Sequence, residues 1–330
     1  MELVPKRDTL KRVKWIALRS LTFNPPRSGS ESWSGIDKMR CAQFLVGSLI
    51  FTVLGCSQSL QRTGALEEAV GREQSIVMGD PFRHLVYRQG NGHKSSPINV
   101  YLEGDGLPWV TRTRVARDPT PRTPVALRLM ARDRGAALFI GRPCYHGLAG
   151  SPDCSPWLWT HGRYSENVVR SMTAALRRSL GADNNREVTL IGYSGGGALA
   201  MLIAARLEQV RSVVTIAANL DINAWADHHG YSRLFGSLNP ATQSPLPAKI
   251  RQIHLAGELD VRVPARLSEQ AVARQPNARF IVIPRFDHVC CWEHAWPTIL
   301  ARLNEGDLAL AAAQLPFPIE AKADRQGEAD

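Results

Sequence analysis

From about residue 76 onward, short apolar runs rich in β-branched and aromatic residues alternate with longer stretches whose apolar positions recur every three or four residues. The runs RHLVYR, INVYLE, AALFIG, EVTLIG, SVVTIAANL, QIHLAG and RFIVIP read as strands. Residues 124–134, 165–180, 198–208, 264–274 and 293–303 read as amphipathic helices. Strands that are apolar along their length, rather than at every second position, are covered on both faces. The alternation therefore predicts an α/β fold with a mostly parallel central sheet and helices on both faces, in one domain over residues 76–305. The segment INAWADHHGYSRLFGSLNPATQSPLPAK, between two of the strands, is long enough for a short cap insertion.

The pattern before residue 76 is different. Residues 38–56 read KMRCAQFLVGSLIFTVLGC, a basic start, an apolar run of about a dozen residues and a small residue before a cysteine. A membrane-spanning helix needs about twenty apolar residues, so this order fits a signal peptide over residues 39–55. Its end, Val53-Leu54-Gly55-Cys56, resembles the lipobox of bacterial lipoproteins, which implies a lipidated Cys56 as the first mature residue. Signal peptides begin chains, so translation is expected to start at Met39, with residues 1–38 an upstream extension foreign to the native protein. Polar residues 56–75 read as a flexible tether and residues 306–330 as a loose tail. These features predict export and a lipid anchor, with Ser57 favouring the outer membrane facing the periplasm.

Composition changes the picture at two points. The net charge of +10 invites a nucleic-acid partner, but residues 1–55 hold 9 Lys+Arg against 4 Asp+Glu, leaving 31 against 26 for the rest. Half the excess is in the leader, and no basic stripe interleaved with aromatics tracks phosphates, so nucleic-acid binding is not expected. Cys41 falls in the signal segment and Cys56 at its end, leaving Cys144, Cys154, Cys290 and Cys291, an even number for an oxidising compartment. Cys144 and Cys154 bracket a short Gly- and Pro-rich loop and form the favoured pair. Bonding the neighbours Cys290 and Cys291 would strain the backbone, so they stand as candidates only.

The chemistry is concentrated at three strand ends. Gly192-Tyr193-Ser194-Gly195-Gly196 matches G-x-S-x-G and sits directly between an apolar strand and an Ala-rich helix, the setting in which such a serine is a nucleophile. No phosphate-binding G-x-G-x-x-G or P-loop pattern competes for that turn. The N–H of Gly195 is placed to stabilise an oxyanion. A serine nucleophile needs an imidazole and an orienting carboxylate. Asp260, in Gly257-Glu258-Leu259-Asp260-Val261-Arg262-Val263-Pro264, and His288, in Asp287-His288, each follow a predicted strand, so a parallel sheet would bring both to the edge carrying Ser194.

The order Ser, Asp, His, with the elbow and the G-x-x-D-x-x-V-P and D-H segments, resembles the α/β-hydrolase family over residues 76–305. The resemblance implies Ser194 as nucleophile, His288 as general base and Asp260 as acid, with Asp221 as the alternative acid one strand earlier. It also implies a second oxyanion donor in Glu103-Gly104-Asp105-Gly106, at Asp105 or Gly106. That segment departs from the His-Gly pattern common in relatives. Asp287 is expected to hold its own loop, and the other histidines to be surface or core residues. No metal-ligand spacing such as H-E-x-x-H occurs, and the implied acyl-transfer chemistry needs no cofactor or metal. Trp109, Trp157, Trp159 and Trp292 are candidates for an acyl-pocket wall. The expectation is therefore a carboxylesterase acting on a small ester or acyl substrate. A peptidase or amidase on the same triad and a non-catalytic scaffold are the alternatives.

Overall fold

The computed structural model describes residues 73–90, 97–181 and 186–305. The expected extension, the signal peptide with Cys56, most of the tether and the C-terminal tail lie outside these residues.

Eight strands form one sheet: β1 (Glu73–Met78), β2 (Arg83–Gln89), β3 (Ile98–Leu102), β4 (Ala137–Ile140), β5 (Val188–Tyr193), β6 (Val210–Ile216), β7 (Arg251–Gly257) and β8 (Ala278–Ile283). Their order is β1-β2-β4-β3-β5-β6-β7-β8. β2 pairs antiparallel with both β1 and β4, and every later pair is parallel, so β2 alone runs against the rest. Strand β1 starts at Glu73, three residues inside the segment expected to be a tether. Five of its six residues are exposed, on both faces, so it lacks the buried run that marks the other strands.

Among the described residues six α-helices follow in chain order: α1 (Val125–Arg132), α2 (Glu166–Leu180), α3 (Gly195–Ala204), α4 (Ile222–His229), α5 (Ala265–Ala273) and α6 (Trp292–Glu305). Alternation along the strands divides the core in two. Val100, Leu138, Val188 and Leu190 face α2 and α3, packing with Val168, Met172, Leu176 and Leu199. Tyr101, Phe139, Ile191 and Val214 face α1 and α6, packing with Leu129, Met130, Trp296 and Ile299. This is the two-sided burial expected of continuously apolar strands.

Helix α2 begins where Ser165 accepts a hydrogen bond from Val168 N–H. Helix α1 has no cap from its own flank. Instead the carboxylate of Glu103, at the end of β3, accepts from Leu127 N–H at 3.4 Å and satisfies part of the open first turn. Helix α3 starts three residues before the predicted 198, directly after Ser194. Strand β6 ends at Ile216, short of the predicted 220, because Ala217 turns with a φ of 48°. Within the expected cap, residues 222–229 form α4, closed by the left-handed Gly230. Among the described residues, no helix is long and apolar enough to cross a membrane.

Candidate active site

The register of the parallel strands fixes where the loops emerge. Leu102 lies opposite Gly192, Tyr193 opposite Ile216, and Gly257 opposite Ile283. The exit loops of β3, β5, β6, β7 and β8 thus share one edge.

On that edge Ser194 occupies the turn between β5 and α3 with φ 50° and ψ −122°, a conformation costly for a residue with a side chain. The surroundings hold it there: Ser194 N–H donates to Ile216 O at 2.9 Å, and Ser194 O accepts from Gly197 N–H at 2.9 Å and Asn219 N–H at 3.3 Å. The turn is tight enough that a Cβ on Gly192 would stand 2.3 Å from Gly196 O, which explains glycine on both sides of the serine. Gly195, at the first position of α3, has an N–H outside the helix's own ladder.

His288, on the β8 exit loop, places Nε2 3.1 Å from Ser194 Oγ, and its Nδ1 lies 2.8 Å from Asp260 Oδ2. The other carboxylate oxygen of Asp260 accepts from Arg262 N–H at 2.9 Å and Val263 N–H at 2.8 Å. The Asp260 side chain is fully buried and that of His288 is 11% exposed. The imidazole packs beside Tyr193, whose hydroxyl donates to His288 O at 3.0 Å. A hydroxyl, an imidazole and a buried carboxylate in this line, with the proton on Nδ1, can move a proton off Ser194 while the carboxylate steadies the resulting imidazolium.

Of the two expected second donors, Asp105 is set against the nucleophile's turn: a Cβ on Gly195 would lie 2.0 Å from Asp105 Oδ1. Gly106 turns away toward Pro119, whose carbonyl a Cβ on Gly106 would meet at 2.1 Å. The Asp105 carboxylate is the centre of a buried network that sequence reasoning missed. It receives Arg142 Nη1 at 2.5 Å, Arg163 Nη1 at 2.8 Å and Tyr164 OH at 2.7 Å, and Asp105 O accepts from Tyr145 OH at 2.9 Å. Burial works to raise its pKa, but Arg163 and then Arg142 outweigh burial and hold it at about 2. The neighbouring Glu103 goes the other way. Burial raises it to about 7, against hydrogen bonds from the N–H groups of Gly104, Ala126 and Leu127 and the charge of Arg142. The signal for the network was Arg142 itself, a charged residue immediately behind the apolar run AALFIG.

The remaining expectations sort by contact. Asp221 Oδ1 accepts from Asn223 N–H, Ala224 N–H and Asn239 Nδ2, capping α4 and holding the following loop. Asp287 Oδ1 accepts from Val289 N–H and Cys290 N–H within its own loop. His254 is buried against Thr215 Oγ1, and His161 stacks on Phe235. Cys144 and Cys154 form a disulfide with Cα atoms 5.6 Å apart, the pairing the spacing favoured. Cys290 and Cys291 are bonded to one another just beyond His288. Trp159 and Trp292 are buried in the core, while Trp109 and Trp157 reach the surface. Among the described residues, no group of three His, Cys, Asp or Glu side chains is placed to hold a metal ion.

No protein-family model and no curated protein sequence matches the chain. Among solved structures it is similar to a bacterial membrane phospholipase A, with a TM-score of 0.52 and 15% identity over 83% of this chain and all of that one. It is also similar to an esterase of Pyrococcus furiosus, with a TM-score of 0.51 and 13% identity over 72% of this chain and 91% of that one. A puromycin hydrolase gives a TM-score of 0.51 and 15% identity over 74% of this chain and 40% of its own. With its strand order and the turn at Ser194, this likeness gives the chain the α/β-hydrolase fold.

Proposed function

We propose that this chain is a serine hydrolase that cleaves carboxylic esters through an acyl-enzyme on Ser194. The observation that carries the proposal is the unbroken hydrogen-bonded line from Ser194 Oγ through His288 to the buried Asp260. In the first step Ser194 Oγ bonds to the substrate's carbonyl carbon while its proton passes to His288 Nε2. The C–O bond to the leaving group then breaks as that proton is returned to the departing alkoxide. Water, deprotonated by the same imidazole, attacks the acyl-enzyme and releases the acid. The N–H groups of Gly195 and Asp105 are the proposed donors to the oxyanion, supported by the contact between those residues. Ester rather than amide is favoured because two of the similar structures are called a phospholipase and an esterase. Export, lipidation at Cys56 and an outer-membrane anchor facing the periplasm are part of the same proposal, supported by the VLGC segment.

The test is reaction of the full chain with a fluorophosphonate probe, together with turnover of short p-nitrophenyl esters and aminoacyl anilides. Labelling at Ser194 and ester turnover, both lost in Ser194→Ala and His288→Ala with the fold retained, is the expected result. Anilide turnover exceeding ester turnover would replace the esterase by a peptidase or amidase. Inertness to probe and substrates alike would leave a scaffold.

A further inference from the structure

Between β3 and α1 the chain makes an excursion that the hydrolytic reading does not use. Leu107 N–H donates to Pro119 O at 2.8 Å, Ala116 N–H to Pro108 O at 2.9 Å and Val110 N–H to Arg114 O at 2.8 Å, with Trp109 bridged to Val115. The Trp159 indole N–H donates to Ala116 O at 3.1 Å and ties the base of this excursion to the body of the domain. Residues 107–119 therefore form an ordered hairpin rising from the oxyanion loop.

Its outer surface mixes two kinds of side chain. Leu107, Trp109 and Val110 are 41%, 38% and 55% exposed, although each could have been polar at no cost to the core. Arg112, Arg114 and Arg117 are exposed beside them. Among the described residues, no carboxylate forms an ion pair with these three guanidiniums. The nearest acid in the chain, Asp118, is turned back onto Thr120 N–H at 2.9 Å and Thr120 Oγ1 at 2.5 Å. Asp105 is consumed by its own buried arginines. Three arginines against the single Asp118 leave the hairpin net positive around an apolar tip. On the same sheet edge, the loop bearing the catalytic carboxylate adds exposed Leu259 and Val261.

We infer that this hairpin docks on an anionic lipid bilayer. Trp109 and Val110 enter the headgroup–acyl boundary, where an indole has both an apolar medium and a partner for its N–H. Arg112, Arg114 and Arg117 remain at the level of the lipid phosphates, with their stems along the apolar region. A nucleic acid would use the same charges but would have one indole to stack on and no use for Leu107 and Val110. An acidic protein surface would leave that apolar tip unmatched. The hairpin leads directly out of Asp105 and Gly106, so docking turns the entrance to Ser194 toward the membrane. Membrane docking itself does not depend on the hydrolytic reading. Where both hold, the acyl esters within reach are those of lipids.

The hairpin's own environment provides the test. In the full chain with Cys41→Ser and Cys56→Ser, which also removes any lipid anchor, an environment-sensitive fluorophore is attached at Val110→Cys. Phosphatidylglycerol–phosphatidylcholine vesicles are expected to shift its emission to the blue and to quench it when the lipids carry a nitroxide. Phosphatidylcholine alone, or high salt, should do neither. A label at Val282→Cys on the edge strand β8 should not respond. Replacing Arg112 and Arg114 together by Gln should weaken partitioning at least about tenfold, with circular dichroism and turnover of a soluble ester unchanged. Flotation of the protein with no response at residue 110 would overturn the proposal. So would equal responses at residues 110 and 282, or an equal response on uncharged vesicles. A shift that grows with protein concentration in the absence of lipid would replace the bilayer by a second copy of the chain.

Discussion

The carboxylate of Asp105 occupies the space that any side chain on Gly195 would need: a Cβ there would stand 2.0 Å from Oδ1, and 2.5 Å from the Tyr164 hydroxyl. Neither neighbour can retreat, because Arg142 and Arg163 hold the carboxylate and the carboxylate holds Tyr164. Gly195→Ala must therefore push the loop that carries Asp105 away from the turn that carries Ser194. The expected outcome is a fall in kcat of about 10²-fold or more with KM little changed, as for loss of one oxyanion donor. Steady-state kinetics on a soluble ester checks it, and an unaltered kcat would remove Asp105 from the oxyanion site.

Two guanidiniums meet one carboxylate in this network, and their side chains are only 1% and 6% exposed. Asp105→Asn leaves both positive charges buried without a counter-charge, which costs about 3–5 kcal/mol. Adding Arg163→Gln to that variant removes one of the stranded charges and should recover more than about 1 kcal/mol. Urea denaturation of the two single variants and the double variant measures the coupling. Strict additivity would mean that solvent reaches the site and screens it.

Asp260 and Asp221 were the two carboxylates open to the role of orienting acid, and their contacts separate them. Asp260→Asn keeps the shape but presents an amide to His288 Nδ1, disfavouring the tautomer the reaction needs; a drop in kcat of about 10⁴-fold is expected. Asp221→Ala removes a helix cap and should cost about 1 kcal/mol of stability while leaving kcat within a fewfold of the parent. Comparing kcat with the urea midpoint for both variants distinguishes the roles.

The parallel strands and the tight turn at Ser194 were legible because burial on both faces makes a strand apolar throughout, and because a sharp strand-to-helix turn demands small residues. Strand β1 was not, since five of its six residues are exposed and EQSIVM carries no distinguishing run. The hairpin at residues 107–119 was hidden for a related reason: the bonds that close it are between backbone groups, and Leu107, Trp109 and Val110 face outward. The Asp105 network was beyond reach because Arg142 and Arg163 approach Asp105 from 37 and 58 residues away, a convergence that only the closed sheet produces.

Acid should unfold this protein by way of the buried histidines His84, His146 and His254. Burial lowers His84, His146 and His254 each from 6.5 to about 4, His84 despite its contact with Gly141 O and His146 despite Asp118. Above pH 6.5 both the folded and the unfolded forms of these groups are neutral. As pH falls from 6.5 toward 4 the unfolded chain takes up protons that the folded chain refuses, so stability drops. Glu103 opposes this: raised from 4.5 to about 7, it holds a proton in the folded state that the unfolded chain releases, and it favours folding as pH falls through that window. Three histidines against one glutamate leave a net uptake approaching two protons on unfolding between about pH 4.5 and 6, a slope of roughly 2–3 kcal/mol per pH unit. Asp105, lowered from 3.8 to about 2, adds its own loss below pH 3.8. His84→Gln should remove about one proton from the slope, and Glu103→Gln should steepen it by about one. Urea denaturation at half-unit steps from pH 4.5 to 7.5 would show both changes, and a flat profile in the parent chain would mean that water reaches these histidines.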